Sequence, residues 1–282
     1  MQTLDNYIDG IKTLPPAPRV LAQLLTLLNQ DEANADEIVA LIALDPALTA
    51  KVLQRCNSAA SGLGRCISDL DEAVGQLGFN AIYRLVAMVV GEGMMASAQQ
   101  GYGIGTGELW EHSVTTAVAA RVLARKLNGK DNLAFTSGLL HDIGKLVLST
   151  FLEDFQPAVH QETGPSGRSF LETEKALLGV DHAEIGGRLL TRWNFPEPLV
   201  AAVQHHHSPA QARGDGQLAA YVHVGDIIAH CLGPARGFNS FAVRTQPEAL
   251  EILEISPKEI EMLVLETDMA LQKCTGFSRT RS

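Results

Sequence analysis

The sequence predicts an all-α fold, and two observations support that prediction. First, apolar residues recur at intervals of three and four, the spacing of one helix face; the clearest runs are Val20, Leu21, Leu24, Leu25, Leu27 and Leu28, then Ile38, Leu41 and Ile42. Second, no segment shows the sustained alternation of apolar and polar residues that is typical of a strand. We therefore expect an N-terminal helical bundle followed by a second helical domain.

Capping residues and prolines predict where the helices begin and end. Asp45-Pro46 ends one helix and starts the next, which should end near Asn57-Ser58. Two more helices are expected within 67–77 and 81–95. In the second half of the chain, helices are expected after Asp131, from His182 behind the capping-box pair Asp181 and Glu184, after Pro196, and within 218–230.

A glycine-rich segment divides the chain. Residues 99–107 contain four glycines and no charge, which is typical of a linker. We therefore expect an N-terminal domain over residues 1–98, a linker over 99–107, a larger helical domain over 108–275 and a flexible tail over 276–282. Looser segments are expected at 163–167 and 209–217.

Composition limits the classes of function. The formal net charge of −10 argues against a protein that coats a nucleic-acid polymer, because such proteins need a basic surface. The four cysteines are scattered, as expected for reduced thiols rather than a disulfide framework. No signal peptide or membrane-spanning stretch is recognisable, so the sequence predicts a cytoplasmic protein with no membrane association.

The pair His141-Asp142 is the strongest functional signal. It lies within what reads as one apolar helix, where Phe135, Leu139, Ile143 and Val147 follow one another at four-residue intervals. An imidazole and a carboxylate in such a stripe need partners, and a divalent cation would satisfy both. A buried ion pair or capping cluster is the alternative. Glycines at positions 138 and 144 would let another element approach closely.

Two other regions offer candidate metal ligands near predicted helix starts. His112 follows Glu108 by four residues, so the two side chains share a face, and Glu108 could be a ligand or support the ring. A locally bonded pair at a helix start is the alternative. His182 is a further candidate, although a histidine that fills the first helical turn explains its position nearly as well.

The run His205-His206-His207 follows the helix that starts near Pro196. His206 and His207 come three and four residues after Val203, so both are expected to point inward, with His205 on the outer side. A surface histidine cluster is the alternative. Two other histidines are expected to be surface or packing residues, namely His160 and His230.

Asp226 completes the set of candidates. It follows Leu218 and Val222 at four-residue intervals, which places its carboxylate on the face that is predicted to be buried. A buried carboxylate needs a cation, so Asp226 is either a metal ligand or the partner of Arg188 or Arg192.

The order of these candidates resembles a known site. His112, His141-Asp142 and Asp226 resemble the HD superfamily of metal-dependent phosphohydrolases, and the addition of His182 with the pair His206-His207 resembles its HD-GYP branch. Three N-terminal phrases narrow the resemblance to the HDOD family of bacterial signalling proteins: Leu14-Pro15-Pro16-Ala17-Pro18, the stretch from Asp45 to Leu53, and Asn57-Ser58-Ala59. The resemblance runs from about residue 12 to about residue 230, and it implies an HD-type domain in the second half.

The resemblance implies a site for one or two divalent ions, with iron and manganese among the candidates. HD-GYP enzymes carry a Gly-Tyr-Pro element shortly after the His-His pair, whereas this chain has Ser208-Pro209-Ala210-Gln211 there. Two functions therefore stay open. One is a regulatory module that binds signalling proteins, with a homodimer left open; the other is a phosphohydrolase acting on a nucleotide or cyclic dinucleotide. In the second, Asp142 would be catalytic and Lys145 would hold a phosphate oxygen, although Lys145 could equally balance the local acid.

Overall fold

The computed structural model describes residues 4–10, 15, 17–28, 35–57, 67–163, 168–212, 214, 216–233 and 246–273, apart from the side chains of residues 160 and 163. Within these ranges the chain forms sixteen α-helices and no β-strand. The all-α prediction is confirmed. Several predicted features lie outside the described residues, among them the 276–282 tail, residues 164–167, Leu14, Pro16 and Ser58-Ala59.

In the part of the chain that the structure describes, six helices precede the glycine-rich segment. They are α1 (Leu4–Asp9), α2 (Arg19–Leu28), α3 (Ala35–Ala43), α4 (Pro46–Cys56), α5 (Leu70–Leu77) and α6 (Phe79–Met95). Asp45 caps α4, since its side chain accepts hydrogen bonds from the backbone N–H groups of residues 47 and 48, and Pro46 opens the helix. After α4, the side-chain amide of Asn57 accepts the Ile67 N–H at 2.7 Å and donates to Ile67 O at 2.8 Å. These two hydrogen bonds connect the end of α4 to the residues just before α5.

Helix α1 packs against α9 and α12, both in the second half of the chain. The Tyr7 ring meets Phe151 edge-on at 4.9 Å, and its hydroxyl donates to Leu178 O at 2.7 Å. Asp5 pairs with Arg188. In the described ranges no single helix is both long and apolar enough to span a membrane; α5 and α6 satisfy that test only together, and the chain bends by 119° between them.

The glycine-rich segment forms a closed turn. Gln99 and Ile104 exchange backbone hydrogen bonds at 2.8 and 3.1 Å around a short 3-10 helix, Gln100–Tyr102. Gly101 packs so closely on the backbone of Ser149 that a side chain there would overlap it, and Tyr102 is fully buried. The same hydrophobic core includes residues on both sides of this turn. The proposed division into domains stays a prediction.

Ten helices follow the turn among the described residues: α7 (Glu108–Lys126), α8 (Asp131–Leu140), α9 (Lys145–Leu152), α10 (Gln156–Thr163), α11 (Phe170–Leu178), α12 (His182–Arg192), α13 (Glu197–Gln204), α14 (Gln217–Leu232), α15 (Pro247–Leu253) and α16 (Pro257–Gln272). Helix α7 runs through the centre, with α8, α14 and α16 packed around it. Gly138 lets α8 approach α7 closely, since a Cβ there would lie 2.9 Å from the Cα of Ala117. The predicted capping box of Asp181 and Glu184 is confirmed.

One predicted helix is wrong in its length. The helix from Asp131 ends at Leu140, and residues 141–144 form turns before α9 begins at Lys145. Ile143 N–H donates to Leu140 O and Lys145 N–H to Asp142 O, both with the three-residue spacing of a 3-10 turn. The apolar pattern continued through this break because Ile143 and Val147 remain buried on the same side.

Candidate metal centre

The turn between α8 and α9 holds His141 and Asp142 inside the protein. Their exposed fractions are 1% and 2%. The His141 Nδ1–H donates to Gly138 O at 2.8 Å, because a carbonyl can only accept. In the neutral ring Nε2 therefore carries the lone pair, which is the form that binds a metal.

Four of the predicted ligands converge in a mixed cluster of two imidazoles and two carboxylates, defined by His112, His141, Asp142 and Asp226. The Nε2 atoms of His112 and His141 lie 3.3 Å apart. His112 Nε2 is 2.9 Å from Asp226 Oδ1 and 3.8 Å from Asp142 Oδ2, and His141 Nε2 is 3.4 Å from Asp142 Oδ2. These groups come from α7, the α8–α9 turn and α14, so distant parts of the chain meet at one point.

The other three histidines among the predicted ligands form an imidazole cluster, defined by His182, His206 and His207. The Nε2 atoms of His182 and His207 are 2.9 Å apart, and the rings of His206 and His207 have centroids 3.9 Å apart. Helix α13 ends at Gln204, so His206 and His207 reach the interior from a turn rather than from a helix face. His206 is fully buried, as the spacing predicts. His207 and His205 are both partly exposed, but the His207 ring contacts His182.

Asp142 lies between the two clusters. Its Oδ2 faces His112 and His141, whereas its Oδ1 is 3.4 Å from His182 Nε2. Gly144, two residues later, makes this approach possible, because a Cβ there would overlap the backbone oxygen of His182. One carboxylate therefore contacts both sets of imidazoles.

The surroundings keep most of these groups in metal-binding protonation states. Burial lowers the pKa of His112 to about 4 and that of His206 to about 3, so both rings are neutral near neutral pH. Burial opposes the ionisation of Asp142, yet His141 and Lys145 hold the pKa of that carboxyl well below its usual range. For His182, burial lowers the pKa but the Glu174 carboxylate raises it more, so the net shift is upward.

The donor set fits divalent cations. Among the described residues, three triads each bring their ligand atoms within 4.8 Å of one another: His182 with His206 and His207, His112 with His141 and Asp142, and His112 with Asp226 and His230. His206 Nδ1–H donates to Val203 O at 2.7 Å, while its buried Nε2 has no hydrogen-bond partner among the described residues. A buried ring nitrogen without a partner is costly unless something binds it, and imidazole nitrogen with carboxylate oxygen suits Fe, Mn or Zn.

Sequence reasoning misjudged one residue of this region and left open one alternative that the structure excludes. His230 was expected to be a surface or packing residue, but its Nδ1 is 3.1 Å from Asp226 Oδ1 and its ring lies 4.7 Å from that of His112. For Asp226, the alternative of an arginine partner does not hold, since Arg188 and Arg192 bind Asp5 and Asp9 of α1.

Glu108 lies one helical turn before His112, as predicted, but its carboxylate accepts the Gly105 N–H at 2.8 Å. It lines the cavity described next and belongs to none of the three triads found among the described residues. A role for Glu108 as a metal ligand stays a prediction.

A cavity of about 260 Å³ opens beside the clusters. Its lining combines ligand candidates with apolar side chains, including Asp142, His182, His207 and Asp226 next to Tyr102, Leu109 and Phe170. Lys145 also lines it, with Nζ 2.6 Å from Asp142 Oδ2. In this structure Lys145 thus balances the local acid, one of the two roles predicted for it, while facing the space that a small ligand would enter.

The sequence profile of the HDOD domain matches residues 14–209. The chain belongs to the HDOD family. Among solved structures, an HDOD domain protein of unknown function from Geobacter sulfurreducens superposes with a TM-score of 0.74 at 22% identity, over 96% of this chain and 94% of that one. A candidate phosphohydrolase from Shewanella amazonensis gives 0.71 at 24% identity, over 96% and 95%. Both likenesses are in the fold.

Curated relatives match this HDOD chain over part of their length. An uncharacterised protein from Treponema pallidum is 27% identical over 72% of this chain and 39% of its own length. Ribonuclease Y from Sulfurovum is 32% identical over 34% of this chain and 14% of its own length. This chain therefore spans about two fifths or less of these relatives.

Proposed function

We propose that this HDOD protein binds divalent cations at the mixed and imidazole clusters and serves as a regulatory module in bacterial signalling. The observation that carries the metal site is the arrangement of three imidazoles, those of His141, His182 and His206. Each has its Nδ1–H held by an acceptor, which leaves Nε2 as a lone-pair donor. A carboxylate or carbonyl that accepts the other ring N–H is typical of metal-binding histidines.

The residues that would hold the ions are those of the two clusters, with Asp142 between them and His230 as an additional candidate beside Asp226. A divalent ion bound there would act as a Lewis acid toward a phosphoryl or carbonyl oxygen. The chain's own contribution is to keep the imidazoles of His112 and His206 neutral through burial and to keep Asp142 ionised beside Lys145. Iron and manganese remain the expected ions, and their number is left to measurement.

The proposed regulatory role is supported by family membership and by exposed apolar side chains on one helix. A candidate signal transduction protein from Marinobacter aquaeolei shares the fold, with a TM-score of 0.74 at 22% identity over 97% of this chain and 62% of that one. On α16, Met262, Leu265 and Met269 are exposed at 54%, 61% and 58%, at intervals that place them on one face. We propose that signalling proteins or a second copy of this chain bind such surfaces in the cytoplasm.

A phosphohydrolase is the second candidate function. Lys145 favours it, because an ammonium group faces the same cavity as the ligand candidates and could hold a phosphate oxygen. The partial sequence match to ribonuclease Y also supports this candidate. The acidic charge disfavours a nucleic-acid polymer as substrate, so a nucleotide or cyclic dinucleotide is the proposed ligand, with Asp142 as the catalytic carboxylate.

Elemental analysis of purified protein tests the metal site, and His141→Ala and Asp142→Ala test its residues. We expect bound iron or manganese in the wild type and a loss of about 100-fold or more in metal affinity in Asp142→Ala, because its carboxylate contacts both clusters. Isothermal titration with Mn²⁺ measures that loss. A wild type that binds no divalent metal refutes the proposed site.

The same variants separate the two functions. If the protein is a hydrolase, cyclic dinucleotide turnover by metal-loaded wild type should vanish in both variants. If it is a regulator, the wild type shows no turnover, and partner binding or self-association persists in both variants.

A further inference from the structure

Glu174 is a buried carboxylate that the proposed metal site does not include. It lies on α11, and its exposed fraction is 0%. Removing a carboxylate from water is costly unless hydrogen bonds or opposite charge compensate for it. Its partners therefore indicate what it does.

Both oxygens of Glu174 hold His182. Oε2 accepts the backbone N–H of His182 at 2.8 Å and lies 2.8 Å from its Nδ1, and Oε1 lies 2.9 Å from the same Nδ1. An acceptor on Nδ1 fixes the proton there and sets the plane of the ring. The Nε2 of His182 then faces His207 Nε2 at 2.9 Å and Asp142 Oδ1 at 3.4 Å.

Tyr102 holds Glu174 in turn. Its hydroxyl donates to Glu174 Oε1 at 2.7 Å, and its ring is completely buried. Tyr102 belongs to the 99–104 turn that joins α6 to α7, and the neighbouring Gly101 is pressed against Ser149 of α9. The backbone that carries Tyr102 is thus fixed on the helix that starts at Lys145.

We propose that Tyr102 and Glu174 are positioning residues that hold His182 with Nδ1 protonated and Nε2 free for the metal, and that they link the 99–104 turn to the metal centre. The effect on metal affinity rests on the proposed function. The effect on the His182 ring does not, so the two claims can fail separately.

Metal affinity gives the first test, in the full chain. Tyr102→Phe removes only the hydroxyl and keeps the ring, including its 5.8 Å approach to the Lys145 ammonium. The matched control is Tyr83→Phe, which removes another buried hydroxyl bonded to Thr136 at 2.5 Å, away from the site. We expect Mn²⁺ affinity to fall about 10-fold in Tyr102→Phe and about 10- to 100-fold in Glu174→Gln, and to stay at the wild-type value in Tyr83→Phe. Equal affinity in Tyr102→Phe and wild type overturns the link to the turn.

The tautomer of His182 gives the second test, which needs no metal. Nitrogen-15 NMR of metal-free protein at alkaline pH, where the ring is neutral, distinguishes Nδ1–H from Nε2–H. We expect a single Nδ1–H form in the wild type and a mixture in Glu174→Ala, with circular dichroism to check that the variant folds. If the alanine variant unfolds, Glu174→Gln replaces it, because glutamine keeps an acceptor oxygen and the side-chain volume. We expect Glu174→Gln to retain the Nδ1–H form. If its main form is Nε2–H, the positioning role is refuted.

A pure Nδ1–H form in folded Glu174→Ala would also refute that role. If the wild type binds no metal but Glu174→Ala loses the single tautomer, the proposed metal site fails and the positioning of His182 by Glu174 stands.

Discussion

The two histidine clusters at the centre of the second half differ in charge. The mixed cluster has two carboxylates among its ligand atoms, Asp142 and Asp226, beside His112 and His141. The imidazole cluster has none of its own, and its negative charge comes from Glu174 behind His182 and from the Oδ1 of Asp142. Because carboxylate oxygen suits Mn²⁺ or Mg²⁺ and imidazole suits Zn²⁺, Fe²⁺ or Ni²⁺, the two clusters should prefer different ions.

Both clusters contact Asp142, and this shared contact depends on one close approach between two backbone segments. The α8–α9 turn can reach the start of α12 only because residue 144 is glycine, and Ile143 and Val147 on either side of it are buried. The pairing of the clusters is therefore a consequence of packing, whereas the preference for an ion follows from the ligand atoms.

The largest expected effect comes from Gly144→Ala. The added methyl group would overlap the backbone oxygen of His182 and lie 2.8 Å from Gly186 N, and backbone on that side has little room to move. We expect a loss of about 3 kcal/mol or more in unfolding free energy, or failure to fold, by chemical denaturation. The matched control is Gly93→Ala at an exposed position of α6, where nothing lies within 4 Å of an added Cβ and a gain of up to about 1 kcal/mol is expected. Similar stability in both variants would contradict the packing argument.

A smaller effect, on metal affinity, should distinguish the ion preferences of the two clusters. Asp226→Asn removes a charge from the mixed cluster, and His206→Ala removes a ligand from the imidazole cluster. We expect Asp226→Asn to weaken Mn²⁺ binding about 10-fold more than Zn²⁺ binding, and His206→Ala to do the reverse, in competition titrations followed by elemental analysis. If both variants weaken both ions equally, the clusters act as one site.

Periodicity and capping predicted the fold and much of the site because both act locally. The box at Asp181 and Glu184 fixed the start of α12, and four-residue spacing placed Asp226 inward. The same rule could have found two residues that were missed. His230 follows Asp226 by four residues, and Glu174 lies midway between Phe170 and Leu178 on a partly apolar face.

Burial alone could not have separated a candidate ligand from a structural histidine. His223 is as buried as His182, but its Nδ1 donates to His206 O at 2.8 Å and its Nε2 accepts the Gln246 N–H at 2.9 Å. Both ring nitrogens are used, whereas His206 keeps one without a partner among the described residues. These contacts join residues far apart in the sequence, and no local pattern encodes them. The break after Leu140 was missed because its 3-10 turns leave the apolar pattern intact.

The smallest expected effect tests whether the N-terminal helices matter to the clusters at all. Asp45 belongs to one of the N-terminal segments that carry the family resemblance. In the structure it caps α4, because its Oδ1 accepts the N–H groups of Ala47 and Leu48 at 2.9 and 3.0 Å. Asp45→Ala should cost about 1 kcal/mol in urea unfolding and leave metal affinity unchanged, since the cap acts only on the first turn of its helix. Asp45→Asn, which retains a capping oxygen, should recover most of the loss. A 10-fold fall in metal affinity in Asp45→Ala would instead mean that the N-terminal helices help to shape the metal centre.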